Sequence, residues 1–393
     1  MMIMNKILKN KKMIAYLSLG ILFVMSALLF YRYIFSLRTS DFPAHIKNAL
    51  NGKGYSLAHI LFILCYRLSG TKLTIVVLMG LVTVLTALAC AWFMKKYLDL
   101  IGVEKDLYSL IPVSASSVFI CKLCVPEWSP LYYDDSFATQ PWHNSTYILM
   151  RLFGICCFVM FYLMQKDYQE KIKLRDCALF TLFLILVNCS KPNFIIAFSP
   201  IMLLMLIYDF VRSKGKTFKN AFLFGLCVLI SCAVLLYQYA IVFPSDGNDK
   251  VILSLANGLG FIGKDNKFAL HLLLNLAFPL YVSVLYFINR KKMNDLSHRM
   301  FIEMWAMFVL SFLEFLFVVE SGSRAADGNF EWGLSFFAYM LFMTCYCYLI
   351  KFKQEGWISG EQHGKGTIIY NAHVLFGLFY FGLLVIGYLS WVI

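Results

Sequence analysis

The apolar residues of this chain come in blocks of roughly 17 to 23, repeated along its whole length, each long enough to cross a hydrocarbon core about 30 Å thick. With 60% hydrophobic and only 15% charged residues over 393 positions, a water-soluble surface cannot be covered. In lipid every backbone amide and carbonyl must find its partner within the protein. Helix-length blocks therefore predict an all-α, polytopic transmembrane helix bundle. A β-barrel would show alternating segments of about 10 residues, and the sequence has no such pattern. Residues 1–393 read as a single integral membrane domain, without internal repeat, Pro/Ser-rich linker or separate soluble domain.

The basic opening, residues 1–12, runs into an apolar block over 13–35. That block is too long for the apolar region of a signal peptide and no small-residue cleavage site follows it, so it reads as a retained first span. Eleven spans fit the pattern: residues 13–35, 73–94, 107–124, 146–164, 177–188, 194–210, 221–243, 268–289, 300–319, 333–350 and 369–392. With the N-terminus in the cytoplasm, cytoplasmic segments hold 22 of the 35 Lys and Arg and external segments hold 10. This bias sets the orientation of a multi-pass protein of the cell membrane and predicts an external C-terminus.

The net charge of +13 lies in short clusters between apolar blocks, such as Arg290-Lys291-Lys292. These are orientation signals, and nucleic acid is not an expected partner. The 12 Cys lie within or at the ends of apolar blocks, where thiols act as small hydrophobes rather than a disulfide framework. Cys121-Lys122-Leu123-Cys124 has metal spacing but no second pair or nearby His.

Two segments break the regular pattern. Residues 55–68 are apolar but short and interrupted by His59 and Arg67, so they read as a re-entrant or interfacial helix in a long first external loop. The span over 177–188 is also short. It places the turn Ser190-Lys191-Pro192-Asn193 below the outer surface, where irregular backbone persists only against protein or a wet cavity. A cavity in the outer half of the bundle is expected.

Cytoplasmic connectors read as solvated Lys/Glu mixtures, whereas the external loops carry the chemistry. Asp41 and His45 follow the first span four residues apart, on one face of any helix starting there. A carboxylate beside an imidazole can deprotonate a hydroxyl or hold a divalent cation. Alternatively, Ser40 or Asp41 caps a helix whose first turn holds Pro43. A second loop holds Glu127, Trp128, Tyr132, Tyr133, Asp134 and Asp135 and closes with Trp142-His143-Asn144. Aromatic faces with carboxylates and amides suit sugar rings, although interfacial aromatics also anchor without a ligand. A third loop runs from Glu320 through Arg324 to Asp327-Gly328-Asn329. There Arg324 clamps a phosphate or pairs with Glu320 or Asp327.

Three cations, Lys122, Arg151 and Lys191, lie at one outer depth. Together they suit a phosphate or diphosphate headgroup; singly, each can snorkel to the interface. Glu303, Ser311 and Glu314 fall on one helix stripe, which serves either a proton or ion path or internal hydrogen bonding.

An acidic residue soon after the first span, in a long external loop with short interfacial helices, resembles the GT-C superfamily of multi-span glycosyltransferases. The resemblance implies a polyprenyl-phosphate-linked sugar donor and a lipid or glycan acceptor meeting in an outer cavity amid membrane lipids, with a divalent cation as the cofactor it allows. It also implies Asp41, with His45, as catalytic base. Arg324, Lys191 or Arg151 would stabilise the departing lipid phosphate, while Asp134, Asp135, Trp142 and His143 shape the sugar site. Asp327 joins them as a substrate-binding candidate. Two other classes remain open: a cell-surface polysaccharide polymerase or ligase centred on Arg324 and His143, and a transporter or lipid flippase using Glu303 and Glu314.

Overall fold

Long apolar blocks can satisfy their backbone in lipid only as helices, and helices make up nearly all of the regular structure. A computed structural model describes residues 2–36, 40–120, 123, 142–168, 171–242, 249–263, 268–325 and 328–386. Its helices are α1 (Met2–Phe35), α2 (Phe42–Leu50), α3 (Leu57–Ser69), α4 (Leu73–Leu100), α5 (Leu107–Ser117), α6 (Ser145–Asp167) and α7 (Leu174–Ser190). There follow α8 (Asn193–Arg212), α9 (Phe218–Val242), α10 (Leu255–Gly263), α11 (Phe268–Asn289), α12 (Asp295–Phe317), α13 (Glu331–Gln354) and α14 (Gly360–Ile386). Two short strands, β1 (Val251–Leu253) and β2 (Val318–Glu320), pair antiparallel with Val251 opposite Glu320.

Among the described residues nine helices are long and apolar enough to span a membrane: α1, α4, α6, α8, α9, α11, α12, α13 and α14. The chain is an all-α, multi-pass membrane protein. Within the apolar stretch of each helix, 83% of residues are buried in α6 and 78% in α13, against 28% in α1 and 22% in α9. The first pair therefore forms the centre of the bundle, and the second lies at its lipid-facing margin.

Small residues and aromatic rings set the helix spacing at the centre. A Cβ on Gly154 of α6 would lie 2.6 Å from the Phe336 ring of α13, so glycine is what lets the two helices approach. Phe158 then meets Phe194, Phe336 and Phe337 at ring distances of 5.8, 6.2 and 6.1 Å. The pairs with Phe194 and Phe337 are edge-to-face and that with Phe336 is stacked, and ring pairs of both kinds add to simple burial.

Helices run alternately up and down. Gly80 near the start of α4 packs on Phe23 and Ala27 near the end of α1. At the other end, Lys11 of α1 pairs with Asp106 before α5 at 2.8 Å. The ends of α1, α7 and α12 thus meet the starts of α4, α6, α8 and α13; this is called the Asp41 end below. The opposite, basic end carries Lys11, Lys95, Arg212, Arg290 and Lys351.

Every expected apolar block forms a helix, but two spans need correction. The span expected over 107–124 is an 11-residue helix that ends at Ser117. Pro112 removes one helical hydrogen bond, and the final carbonyls are taken by Arg151 instead. The short span expected over 177–188 is the 17-residue α7, lengthened at the basic end by a first turn that includes Arg175 and Asp176. At 13 residues, α3 reaches only about 20 Å and does not cross. It starts with a capping box in which Ser56 and His59 satisfy each other's backbone, and it stops at Gly70 in a left-handed conformation (φ 69°).

Candidate functional site

The site is built where the loop after α1 meets the start of α6. Phe42, fully buried among Phe30, Tyr33 and Phe62, pins the first turn of α2 to the bundle. Ser40 performs the local capping task, since its Oγ accepts the Phe42 amide at 3.1 Å. Asp41 occupies the N-cap position without making a side-chain cap, which leaves its carboxylate available for tertiary contacts. Asp41 Oδ2 accepts from Asn144 Nδ2 at 2.7 Å and lies 3.7 Å from His143 Nε2.

Asn144 has two roles. Its Oδ1 caps α6 by accepting the Tyr147 amide at 3.0 Å and the Thr146 hydroxyl at 2.6 Å, while its NH₂ grips Asp41. The next residue, Ser145, is 2.7 Å from His45 Nδ1. One helix start therefore positions both members of the Asp41/His45 pair. The Asp41 side chain keeps 36% of its surface exposed, and Oδ1 has no partner among the described residues.

His143 and His45 neighbour this carboxylate, and His59 backs His45. The His45 and His59 rings lie 5.3 Å apart, and His59 is held by the Ser56 hydroxyl at 2.7 Å. Burial pushes His45 down to about 4; Asp41 opposes the shift, and His59, Lys191 and His143 add to it. Burial also lowers His59. Both rings are therefore neutral near pH 7 and able to accept a proton.

The opposite wall comes from the α7–α8 turn and the start of α13. Lys191 Nζ lies 3.4 Å from Asn329 Oδ1 and 5.3 Å from the centre of the Trp332 ring, a cation–π distance. Trp332 in turn packs on His143 at 5.1 Å and on Tyr147 at 4.8 Å. Asn193 donates to the Asn329 carbonyl at 2.9 Å, and Asn329 donates to Glu320 at 2.6 Å. Glu320 takes Arg324 Nε at 3.1 Å on its other oxygen, the local ion pair weighed from sequence. Arg324 thus joins the site at its rim, through Glu320 and Asn329.

Of the candidates read from sequence, Asp41, His45, His143 and Lys191 come together, and Arg324 adjoins them. Trp142 and Arg151 are corrected. Trp142 is 3% exposed, donates to the Val118 carbonyl at 3.3 Å and packs on Phe119 and Phe381; it is a core residue that cannot stack on a sugar. Arg151 donates to the Ser117 and Val118 carbonyls, both at 3.3 Å, and lies 3.7 Å from the Tyr339 ring centre. It caps the C-terminus of α5. Asp134, Asp135 and Asp327, with Glu127, Trp128, Tyr132, Tyr133, Lys122, Cys121 and Cys124, lie outside the described residues.

Sequence reasoning missed Asn144, Ser145, His59, Trp332 and Asn329 as site residues. The Asn-Ser-Thr start of α6 is an N-cap signal, and it marks Asn144 as a fixed point beside His143. Among the described residues, no three His, Cys, Asp or Glu side chains stand close enough to hold one metal ion.

The carboxylates of α12 separate. Glu303 is bound to Arg299 at 2.7 Å and to Gln165 at 2.7 and 2.8 Å, near the basic end. Glu314 lies three turns away at the Asp41 end, where a Cβ on Gly333 would come within 3.3 Å of both its carboxylate and the Asn193 carbonyl. Buried Met304, Met307 and Phe308 fill the interval.

Fold and burial define a multi-pass helical membrane protein with a polar cluster at one end. The chain matches no family model, no curated protein and no solved structure.

Proposed function

We propose that the protein is a membrane glycosyltransferase. It moves a sugar from a polyprenyl-phosphate-linked donor to a lipid or glycan acceptor, on the outer face of the cytoplasmic membrane, in cell-envelope glycan assembly. The observation that carries this reading is the Asp41 carboxylate. It is released from helix capping, gripped by Asn144, half-exposed, and set in a wall with neutral imidazoles, an ammonium and an indole. The GT-C resemblance and the excess of Lys and Arg at the other end, which puts the Asp41 end outside and the N-terminus in the cytoplasm, point the same way.

Asp41 takes the proton of the acceptor hydroxyl, directly or through neutral His45. The acceptor oxygen bonds to the anomeric carbon as the bond from that carbon to the phosphate oxygen breaks, and the electron pair leaves with the polyprenyl phosphate. Lys191, with Arg324 at the rim, offsets the negative charge that builds on this phosphate, a contribution that commonly dominates such transfers. Trp332, buried against Lys191, His143 and Tyr147, holds this wall in place. A polysaccharide polymerase or ligase would use His143 and Arg324 of the same cluster. Transport finds less support, because Glu303 is committed to Arg299 and Gln165, and apolar side chains separate it from Glu314.

The test is release of polyprenyl phosphate from a panel of polyprenyl-phosphate monosaccharides by the purified protein, with extracted envelope lipids and glycans supplied as acceptor. Turnover by the wild type that falls about 10²–10⁴-fold in Asp41→Asn is expected of a lost general base. Equal turnover by the two proteins would sink the assignment.

A further inference from the structure

At the basic end, α11 and α12 touch through Tyr286, whose ring stacks on Phe301 at 3.9 Å and whose hydroxyl meets His298 Nδ1 at 2.8 Å. Beside this contact the helices leave a groove of about 470 Å³, within the range of a built ligand site. Its lips are Phe287 and Ile302, 61% and 59% exposed, so it opens sideways toward the hydrocarbon. Its mouth carries Arg290 and His298, where Arg290 begins the run Arg290-Lys291-Lys292.

Two features set this groove apart from an ordinary lipid-facing surface. First, its charge is not neutralised from within the protein. Among the described residues no carboxylate pairs with Arg290; the nearby Asp209 and Glu303 are taken by Arg299, and Asp295 lies 3.9 Å from Arg212. Second, Trp305, two helical turns inward from His298, lines the groove and has a buried indole N–H without an acceptor among the described residues. Side chains lean toward the N-terminus of their helix, which tilts Trp305 back toward the basic mouth. An apolar slot with one orphan donor inside and basic groups at its entrance matches an acyl chain, an ester carbonyl and a phosphate in that order.

We infer that this groove binds one anionic glycerophospholipid of the surrounding leaflet. Arg290 and His298 hold the phosphate, the Trp305 N–H meets an ester carbonyl, and the chain runs between Phe287 and Ile302. Basic groups between spanning helices favour anionic headgroups, whereas a zwitterionic lipid brings its own cation to Arg290. The site is independent of the chemistry proposed for the Asp41 end.

The probe is phosphatidylglycerol or phosphatidylcholine with brominated chains, added to the full-length protein in detergent, with quenching of tryptophan fluorescence as the readout. Trp305→Phe defines the part of the signal that comes from the groove. That part should saturate at about tenfold lower phosphatidylglycerol than phosphatidylcholine. Arg290→Ala should cost about fivefold of this preference, roughly one basic residue's share, and Arg290→Lys should retain most of it. Equal quenching by the two lipids, or a preference unchanged in Arg290→Ala, would mean ordinary boundary lipid and overturn the proposal. Displacement of phosphatidylglycerol by an equimolar polyprenyl phosphate would also overturn it and assign the groove to the sugar carrier.

Discussion

The two ends of the bundle use the same kinds of side chain for opposite purposes. At the basic end Arg299 makes a two-point contact with Asp209 at 2.9 and 2.7 Å and reaches Glu303 at 2.7 Å, and Gln165 closes on Glu303 from the other side. The carboxylates are buried, 4% exposed at Asp209 and 7% at Glu303, and every carboxylate oxygen takes a donor. The cluster ties α6, α8 and α12 together. At the Asp41 end the carboxylate has one oxygen held and the other without a partner among the described residues, and the His45 imidazole beside it is neutral. Identical chemistry becomes a structural tie where its hydrogen bonds are complete. It becomes a candidate site where they are left incomplete at a half-exposed surface.

The contrast can be broken by substitution. Asp209→Ala should have the largest effect, because it strips Arg299 of both hydrogen bonds of its two-point contact and leaves it with Glu303 alone. Loss of about 3–5 kcal/mol is expected for breaking a buried pair, read as a fall in thermal midpoint and a matching fall in every activity. Next, Lys191→Gln should leave the thermal midpoint within a degree or two and cut turnover about 10²-fold, the cost of one electrostatic contact to a developing oxyanion. A parallel loss of stability and turnover would make Lys191 structural. Arg151→Met should cost about 2 kcal/mol by freeing two α5 carbonyls, with turnover reduced only as far as folded protein is lost.

The smallest effect sharpens the electrostatics. The folded-state pKa of His45, about 4, lies below the ordinary value of 6.5, so between these values the unfolded chain binds a proton that the native state refuses. Stability therefore falls as pH drops from about 6.5 toward 4. Thermal midpoints of His45→Gln should fall less steeply across that window than those of the wild type, and equal slopes would contradict the burial of this ring.

Much of the fold is legible in the sequence because lipid leaves so few choices. Each apolar block becomes a helix, and the segment around His59 stays too short to cross. What is not legible is where a helix stops for tertiary reasons. The apolar pattern over 107–124 continues past Ser117, but Pro112 weakens α5, and a guanidinium from another helix, Arg151 on α6, takes the terminal carbonyls. In the site, Asp41 stands out as the first acid after the first span. Asn144 does not, since its two roles depend on α2 and α6 meeting. The tryptophans show the same limit. Trp142 and Trp332 both flank polar loops, and only packing decides that Trp142 enters the core beside Phe381 while Trp332 meets Lys191 and His143. Periodicity correctly puts Glu303 and Glu314 on the buried face of α12, but it cannot tell that Arg299 and Gln165 occupy one of them.

The central claim is that Asp41 serves chemistry and Asp209 serves the fold. The direct test measures thermal midpoint and polyprenyl phosphate release side by side for Asp41→Asn and Asp209→Asn. The account predicts that Asp41→Asn keeps the wild-type midpoint and loses turnover about 10²–10⁴-fold, while Asp209→Asn lowers the midpoint and retains turnover in proportion to the protein that stays folded. An Asp41→Asn protein that melts early, or that turns over like the wild type, would contradict it.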